Sequence, residues 1–125
     1  MNAIGDEMFV SLQRTSKSPI IYEVLDYCCG ITDERGQLLA QGNGVAGFLG
    51  TMTFAVQYTL EKFGRDGLEE GDIIVTNDPY TGGGTHLSDV SLVMPIFFEG
   101  ETDRLFRQQG TLDGGWGKRS RLVDD

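Results

Sequence analysis

The chain has 125 residues, of which 39% are hydrophobic, and it carries a formal net charge of −9. That length is enough for one domain with a modest core. The acidic balance argues against a nucleic-acid partner, because an acidic chain does not release counterions from a phosphate backbone. There is no run of about 20 apolar residues to cross a membrane, and the first residues carry acids where a secretory signal needs bases. We therefore expect a soluble, cytoplasmic protein.

Two patterns near the start of the chain predict a helix followed by a hairpin. Residues 3–16 place apolar side chains at every fourth position, which is typical of an amphipathic helix. Residues 20–32 and 37–41 are rich in strand-forming side chains, and a polar turn at residues 33–36 separates them. A β-hairpin is the expected product of this arrangement.

Two adjacent cysteines, Cys28 and Cys29, lie in the first predicted strand. A disulfide between neighbouring residues is strained, so the pair indicates no disulfide framework. We expect two buried or half-buried thiols that pack like small apolar side chains. Use of the pair for metal binding or redox chemistry is the alternative.

A second helix and two further strands complete the pattern. Thr51 is the predicted N-cap of the helix and Gly64 its C-terminal stop, and we assign its apolar stripe to the core. Strands are predicted at residues 73–75 and 90–98. Together the elements predict an α+β fold, in which two helices pack on a small mixed or antiparallel sheet.

The stretch between those last two strands has the composition of a functional loop. Residues 77–89 read NDPYTGGGTHLSD. A proline follows Asp78, which favours an extended backbone at that aspartate, and the glycines at residues 82–84 permit a positive φ and a close approach to a ligand. His86 and Asp89 complete the loop. Because loops held between rigid elements often carry function, we place the candidate site here.

The residues alone leave three interpretations of this loop open. His86 and Asp89 are three apart, so an imidazole nitrogen and a carboxylate oxygen can face the same way and share a metal ion. They can instead form a hydrogen-bonded pair that holds the loop, with Asp78 orienting the histidine or contacting a ligand. The glycine run is also compatible with a phosphate cradle, although it lacks the lysine and Ser/Thr of a P-loop.

The composition of the chain changes after Glu101. Residues 1–101 contain 5 Lys+Arg and 15 Asp+Glu, whereas residues 102–125 contain 5 and 4. The later segment has no clear helical or strand period. We therefore divide the chain into a folded part, residues 1–101, and an aberrant tail, residues 102–125, which we expect to be poorly structured.

Four stretches of the first hundred residues resemble a known family. They are IGDEM from Ile4, LQRTSKSPIIYEVLDY from Leu12, GITDERGQLLAQ from Gly30 and GDIIVTNDPYTGGGTHLSDV from Gly71. With them the chain resembles the hydantoinase B/5-oxoprolinase family, which includes the related alpha subunit of acetone carboxylases. Members are large subunits several times longer than this chain. The resemblance therefore implies that residues 1–101 are a fragment, a partial domain of such a subunit.

The resemblance also implies a function. It points to the B subunit of an ATP-dependent cyclic amide hydrolase of the hydantoinase or 5-oxoprolinase type, in which a metal assists ring opening. Such subunits work in hetero-oligomers with a hydantoinase A-like partner that binds ATP, on small-molecule substrates. A ketone carboxylase subunit is one alternative, and a non-catalytic remnant is another. We expect little or no activity from the isolated chain.

For individual residues, the resemblance implies a divalent metal held by His86 and Asp89, manganese first and zinc or magnesium as alternatives. Asp78 is a third catalytic candidate, which supports the metal ligands or contacts the substrate. The remaining candidates are expected to shape the substrate pocket: Tyr80, Gly82, Gly83 and Gly84.

The third metal ligand of the family lies in a segment like ANKAHWTEVGGK, which supplies a histidine. The corresponding residues 107–118 read RQQGTLDGGWGK, with Thr111 in the histidine's place. If these residues are back-translated with permitted codons and read one nucleotide later, the genetic code allows the family segment.

We therefore predict that the tail is the out-of-frame end of a disrupted gene or the product of a sequencing error. A genuinely divergent tail is the alternative. The nucleotide sequence after the codon for Glu101 decides between them. If no single-base shift there restores the family segment, the frameshift prediction is wrong.

Overall fold

The computed structural model of the chain describes residues 2–98, 101–110 and 120–122. Its elements in chain order are α1 (Asn2–Thr15), α2 (Pro19–Tyr22), β1 (Tyr27–Thr32), β2 (Leu38–Gln41), α3 (Ala46–Phe63), β3 (Ile73–Thr76), β4 (Val90–Phe98), β5 (Glu101–Gly110) and β6 (Ser120–Leu122). None of the helices in these ranges is both long and apolar enough to cross a membrane.

The strands of the described residues form one six-stranded sheet in the order β2-β1-β5-β4-β3-β6. Neighbouring strands are antiparallel, except that β3 and β6 are parallel, so the sheet is mixed. α1 contacts β1 and β2, and α3 contacts β1, β4 and β5. Helices packed on a largely antiparallel sheet confirm the predicted α+β class, with the short α2 as an additional helix.

Two helix boundaries differ from the prediction. Pro19–Tyr22 form α2, where the sequence predicted the start of a strand. Proline suits the first turn of a helix, because the N–H that it lacks would have no intrahelical partner there. α3 begins at Ala46, earlier than predicted, and the Thr51 hydroxyl donates to the Phe48 carbonyl oxygen at 2.9 Å inside the helix. The predicted stop at Gly64 is confirmed, with a φ of 65°.

Residues 101–110 form β5 in the interior of the sheet. Its last residue, Gly110, lies opposite both Tyr27 of β1 and Val90 of β4. Residues 102–110 and 120–122 thus form strands where we expected poor structure. Residues 111–119 and 123–125 lie outside the described residues, so what we expect of Thr111 and of these residues stays a prediction.

Buried side chains of α3 face the sheet along the stripe that the sequence assigned to the core. Met52 and Val56 are both inaccessible to solvent, and Val56 packs with Ile74 of β3 and Val93 of β4. Burial of this apolar surface is the main stabilising contribution to such a fold. α3 therefore packs against the pair of strands, β3 and β4, between which the candidate loop runs.

The two cysteines of β1 are buried and form no disulfide within the described residues, as the packing interpretation predicted. Burial raises the pKa of Cys29 to about 11, so its reactive thiolate form is disfavoured. Beside it, the Tyr27 ring stacks on the Phe9 ring of α1 with 4.2 Å between ring centroids. The Tyr27 hydroxyl donates to the Phe9 carbonyl oxygen at 2.8 Å. Cys29, Tyr27 and Phe9 thus pack α1 against β1.

α1 crosses the end of β2 at a pair of glycines. A Cβ added to Gly5 would meet the carbonyl oxygen of Gln41 and, at 2.8 Å, the backbone nitrogen of Gly42. A Cβ on Gly42 would lie 2.7 Å from the Cβ of Phe9. Both glycines are buried. The helix therefore approaches the sheet at a distance that only glycine permits.

Candidate functional site

The candidate loop, residues 77–89, joins two neighbouring antiparallel strands. Thr76 at the end of β3 lies opposite Ser91 near the start of β4, so the loop starts and finishes at the same end of this strand pair. The Asn77 side-chain amide donates to the Leu87 carbonyl oxygen at 3.2 Å and ties the two arms together. The loop is thereby anchored at both ends by paired strands.

Asp78 organises the first arm of the loop. Its Oδ1 accepts a hydrogen bond from the Tyr80 N–H at 2.8 Å, and its Oδ2 accepts one from the Thr81 hydroxyl. The Thr81 hydroxyl and, secondarily, the Tyr80 N–H lower the pKa of the Asp78 carboxyl below its ordinary value. The Asp78 carbonyl oxygen also accepts from the Gly82 N–H at 3.1 Å. No hydrogen bond joins Asp78 to His86 in the described part of the chain.

The glycine run lies on the N-terminal half of α3. Gly83 has a φ of +74°, and a Cβ there would be 2.6 Å from the Thr51 carbonyl oxygen and 2.8 Å from the Ala55 nitrogen. A Cβ on Gly82 would meet the Thr76 hydroxyl and, at 2.9 Å, the Asp78 carbonyl oxygen. The glycines therefore fit the loop against its own helix and strand, a role that the sequence analysis, which assigned them to the pocket, did not foresee.

His86 and Asp89 form one turn at the end of the loop. The Asp89 N–H donates to the His86 carbonyl oxygen at 3.0 Å, which closes the turn. The His86 Nε2 lies 3.5 Å from the Asp89 Oδ1. The imidazole is 63% exposed, whereas the carboxylate is only 4% exposed. The two side chains that the sequence paired are thus brought together, one open to solvent and one enclosed.

The distance between these two atoms is compatible with a shared metal ion. A direct N–H···O hydrogen bond is about 2.7–3.2 Å long, so 3.5 Å makes the His86–Asp89 contact a weak one. Two metal ligands at about 2.1 Å from an ion lie about 3.4 Å apart at the tetrahedral angle that Zn²⁺ prefers, and about 3.0 Å apart at the right angle of octahedral coordination, which Mn²⁺ and Mg²⁺ prefer. An imidazole nitrogen and a carboxylate oxygen are also the donor types that divalent transition metals accept. The pair therefore fits a shared ion.

The carboxylate of Asp89 is held by Thr85, a residue that the sequence analysis did not single out. The Thr85 N–H donates to the Asp89 Oδ2 at 3.2 Å, and the Thr85 hydroxyl donates to the same oxygen. The sequence offered one signal for this contact, a threonine four positions before an aspartate. Within the described ranges, no group of three or more His, Cys, Asp or Glu side chains is placed to hold a metal ion.

The outer surface of the loop carries exposed aromatic and apolar side chains. Tyr80, which we expected to shape the pocket, is 94% exposed. Leu87 of the loop and Phe54 of α3 are also exposed. A cavity of about 350 Å³ lies between the loop and α3, lined by Phe54, Gln57, Tyr58, Glu61 and Thr81. Tyr80 is thus exposed and is not among the residues that line this cavity.

Comparison with known protein families matches residues 1–110 to the sequence model described as hydantoinase B/oxoprolinase. The chain belongs to the hydantoinase B/oxoprolinase family. The match confirms the resemblance found in the four sequence stretches, and it extends to the end of β5.

Relatives in this family include enzymes named for cyclic amides. The chain is 40% identical over 99 residues to 5-oxoprolinase PfmaA of Pestalotiopsis fici. This match covers 79% of the chain and 8% of that protein. The ATP-dependent caprolactamase structure from Pseudomonas jessenii matches with a TM-score of 0.76 and 30% identity, over 88% of the chain and 19% of that protein.

A nucleotide-free acetone carboxylase structure also matches the fold. Its TM-score is 0.79 at 25% identity, over 89% of the chain and 15% of that protein. The chain thus spans less than a fifth of the length of the first curated relatives, 18% and 8%. These matches establish the family of the chain.

Proposed function

We propose that the chain is part of the B-type subunit of an ATP-dependent cyclic amide hydrolase, and that the loop at residues 77–89 carries part of its metal site. The supporting observation is the 3.5 Å separation of the His86 Nε2 and the Asp89 Oδ1. A divalent ion between them, manganese first and zinc or magnesium as alternatives, would act as a Lewis acid on a substrate carbonyl oxygen. The chain's own residues bind and orient that ion.

Three residues of the loop have distinct roles in this proposal. Asp89 supplies the negative charge, from a position shielded from water, which strengthens its attraction for a cation. His86 supplies a neutral nitrogen from the solvent side. Asp78 is hydrogen-bonded within the loop through both carboxylate oxygens, which favours a supporting role over direct contact with the substrate.

The chain requires further polypeptide to act. Two protein ligands leave most coordination positions of an ion to water, so binding by this chain alone is expected to be weak and exchangeable. The exposed Phe54, Tyr80 and Leu87 around the loop support contact with additional protein. One similar protein of Pseudomonas jessenii is named caprolactamase subunit beta, 33% identical over 96 residues. By analogy, we propose a hydantoinase A-like partner that binds ATP, in the cytoplasm.

The choice of a cyclic amide substrate rests on sequence. Identity is 40% to the 5-oxoprolinase of Pestalotiopsis fici and 30% to the caprolactamase structure, against 25% to the acetone carboxylase structure. The TM-score favours acetone carboxylase by only 0.79 to 0.76, which is too small a difference to choose between substrates. A ketone carboxylase subunit is therefore the second candidate, and a non-catalytic remnant of either is the third.

Manganese titration of the purified chain tests the metal site. His86 is the single histidine of the chain, so its ring proton resonances in an NMR spectrum are unambiguous. We expect substoichiometric Mn²⁺ to broaden those resonances selectively, because a paramagnetic ion relaxes nearby nuclei. The Asp89→Asn variant should require at least about tenfold more Mn²⁺ for the same broadening, since each lost ligand costs more than about 1.4 kcal/mol.

The matched control is Asp66→Asn, which makes the same change at an exposed aspartate away from the loop. Its His86 resonances should broaden at the same Mn²⁺ concentration as those of the unmodified chain. Equal broadening of His86 in all three proteins would indicate non-specific attraction to an acidic surface. That result, or no broadening at all, would refute the metal site and favour the non-catalytic remnant.

A further inference from the structure

The loop contains two aspartates that each accept a threonine hydroxyl, one on either side of the glycine run. Thr81 donates to the Oδ2 of Asp78, and Thr85 donates to the Oδ2 of Asp89. The two arrangements differ at the other carboxylate oxygen. Oδ1 of Asp78 accepts the Tyr80 N–H at 2.8 Å, so both oxygens of that carboxylate are used within the loop.

Asp89 has the opposite distribution of hydrogen bonds. Both donors that reach its carboxylate, the Thr85 N–H at 3.2 Å and the Thr85 hydroxyl, bind Oδ2. In the described residues, the polar neighbour of Oδ1 is the His86 Nε2 at 3.5 Å. One oxygen is therefore satisfied by Thr85, and the other is directed at the imidazole.

A buried carboxylate without such partners would be costly, because desolvation penalises an ionised group that has no hydrogen bonds. Two donors on one oxygen offset that penalty and also hold the Asp89 side chain in one χ1 rotamer, with Oδ2 at Thr85 and Oδ1 toward His86. A carboxylate held in this way offers one of its oxygen atoms, and not both, to a cation. The arrangement thus favours monodentate over bidentate ligation.

We propose that Thr85 is the positioning residue of this site, which turns Asp89 so that Oδ1 alone faces His86 and the proposed ion. The inference deepens the proposed function and rests on it for the identity of the ligand, a divalent cation. Thr85 does not touch the cation itself. It acts through Asp89, as groups hydrogen-bonded to metal ligands commonly do.

The Thr85→Val substitution tests the proposal, because valine keeps the branched shape of threonine and removes the hydroxyl. With Mn²⁺ as the probe and the His86 resonances as the readout, we expect the affinity to fall about 10-fold. Thr85→Ser, which restores a hydroxyl, should recover affinity to within about threefold. Thr15→Val, which removes a donating threonine hydroxyl at the end of α1, is the matched control and should change Mn²⁺ affinity less than about twofold.

A second readout needs no metal. Three-bond couplings to the Asp89 carboxyl carbon report its χ1 rotamer, and we expect a single rotamer in the unmodified chain and averaged values in Thr85→Val. An unchanged single rotamer in Thr85→Val would overturn the positioning role, whether or not the metal binds. If the rotamer averages but the unmodified chain binds no Mn²⁺ at His86, the positioning role stands and the proposed metal site fails. Equal Mn²⁺ affinity of Thr85→Val and the unmodified chain would also overturn the proposal.

Discussion

Replacing Gly5 with alanine is expected to lower the free energy of unfolding by about 2 kcal/mol, even though alanine is the better helix former by about 1 kcal/mol. The new Cβ would press on the Gln41 carbonyl oxygen and on the Gly42 nitrogen, which is 2.8 Å away. Both are backbone atoms, so no side-chain rotation can relieve the contact. α1 would have to move away from β2, with partial loss of the Phe9–Tyr27 stacking. Urea denaturation followed by circular dichroism measures the loss.

The matched control for Gly5→Ala is Gly50→Ala, the same change inside α3. A Cβ at Gly50 meets no atom within 4 Å. Only the helix propensity then changes, and the control should be more stable than the unmodified chain by up to about 1 kcal/mol. The two variants are thus expected to differ by about 3 kcal/mol in opposite directions. Equal stability of both would show that α1 and β2 do not meet as closely as described.

Replacing Gly83 with alanine is expected to release the candidate loop from α3 while the sheet stays folded. The residue has a φ of +74°, where a side chain costs about 1–2 kcal/mol. Its Cβ would also meet the Thr51 carbonyl oxygen at 2.6 Å and the Ala55 nitrogen at 2.8 Å. The glycine run would lift from the helix, and the turn that holds His86 beside Asp89 would lose its fixed place. We expect Mn²⁺ affinity at His86 to fall about 10-fold or more, a change of about 1.4 kcal/mol.

Two neighbouring substitutions separate the causes of that effect. Gly84→Ala adds a Cβ whose nearest contacts are ordinary, 3.5 Å or longer, so it should leave Mn²⁺ binding nearly unchanged. Gly71→Ala adds a Cβ at a φ of +88° in open space, so it tests backbone strain alone. It should lower stability without affecting the loop. If Gly84→Ala weakens binding as much as Gly83→Ala does, contact with α3 is not what positions the loop.

Features that depend on nearby residues could be predicted from the sequence. The spacing of His86 and Asp89 places them on one turn, and the structure has their facing atoms 3.5 Å apart. The apolar stripe of α3 and the stop at Gly64 were predicted correctly for the same reason, since helical periodicity and a C-terminal glycine are local signals.

Features that depend on distant residues could not be predicted. β5 has no strand period of its own, and it is held between β1 and β4 by backbone hydrogen bonds that its side chains do not encode. The contact between Gly83 and the backbone of Thr51 and Ala55 joins segments about thirty residues apart, and only the three-dimensional packing reveals it. Thr85 was missed because its contact with Asp89 depends on the orientation of its hydroxyl, which composition does not indicate.

The central place of β5 has a consequence for the order in which the protein acquires its structure. The strands β2 and β1 come early in the chain, and β3 and β4 come later, and within the described sheet β5 joins the two pairs. During synthesis, therefore, each pair waits on the ribosome with an open edge until residue 110 has emerged. Closing Tyr27 onto Gly110 spans most of the chain, and such distant pairing slows folding and leaves nascent edges open to aggregation. A chaperone that shields those edges would raise the yield of native protein.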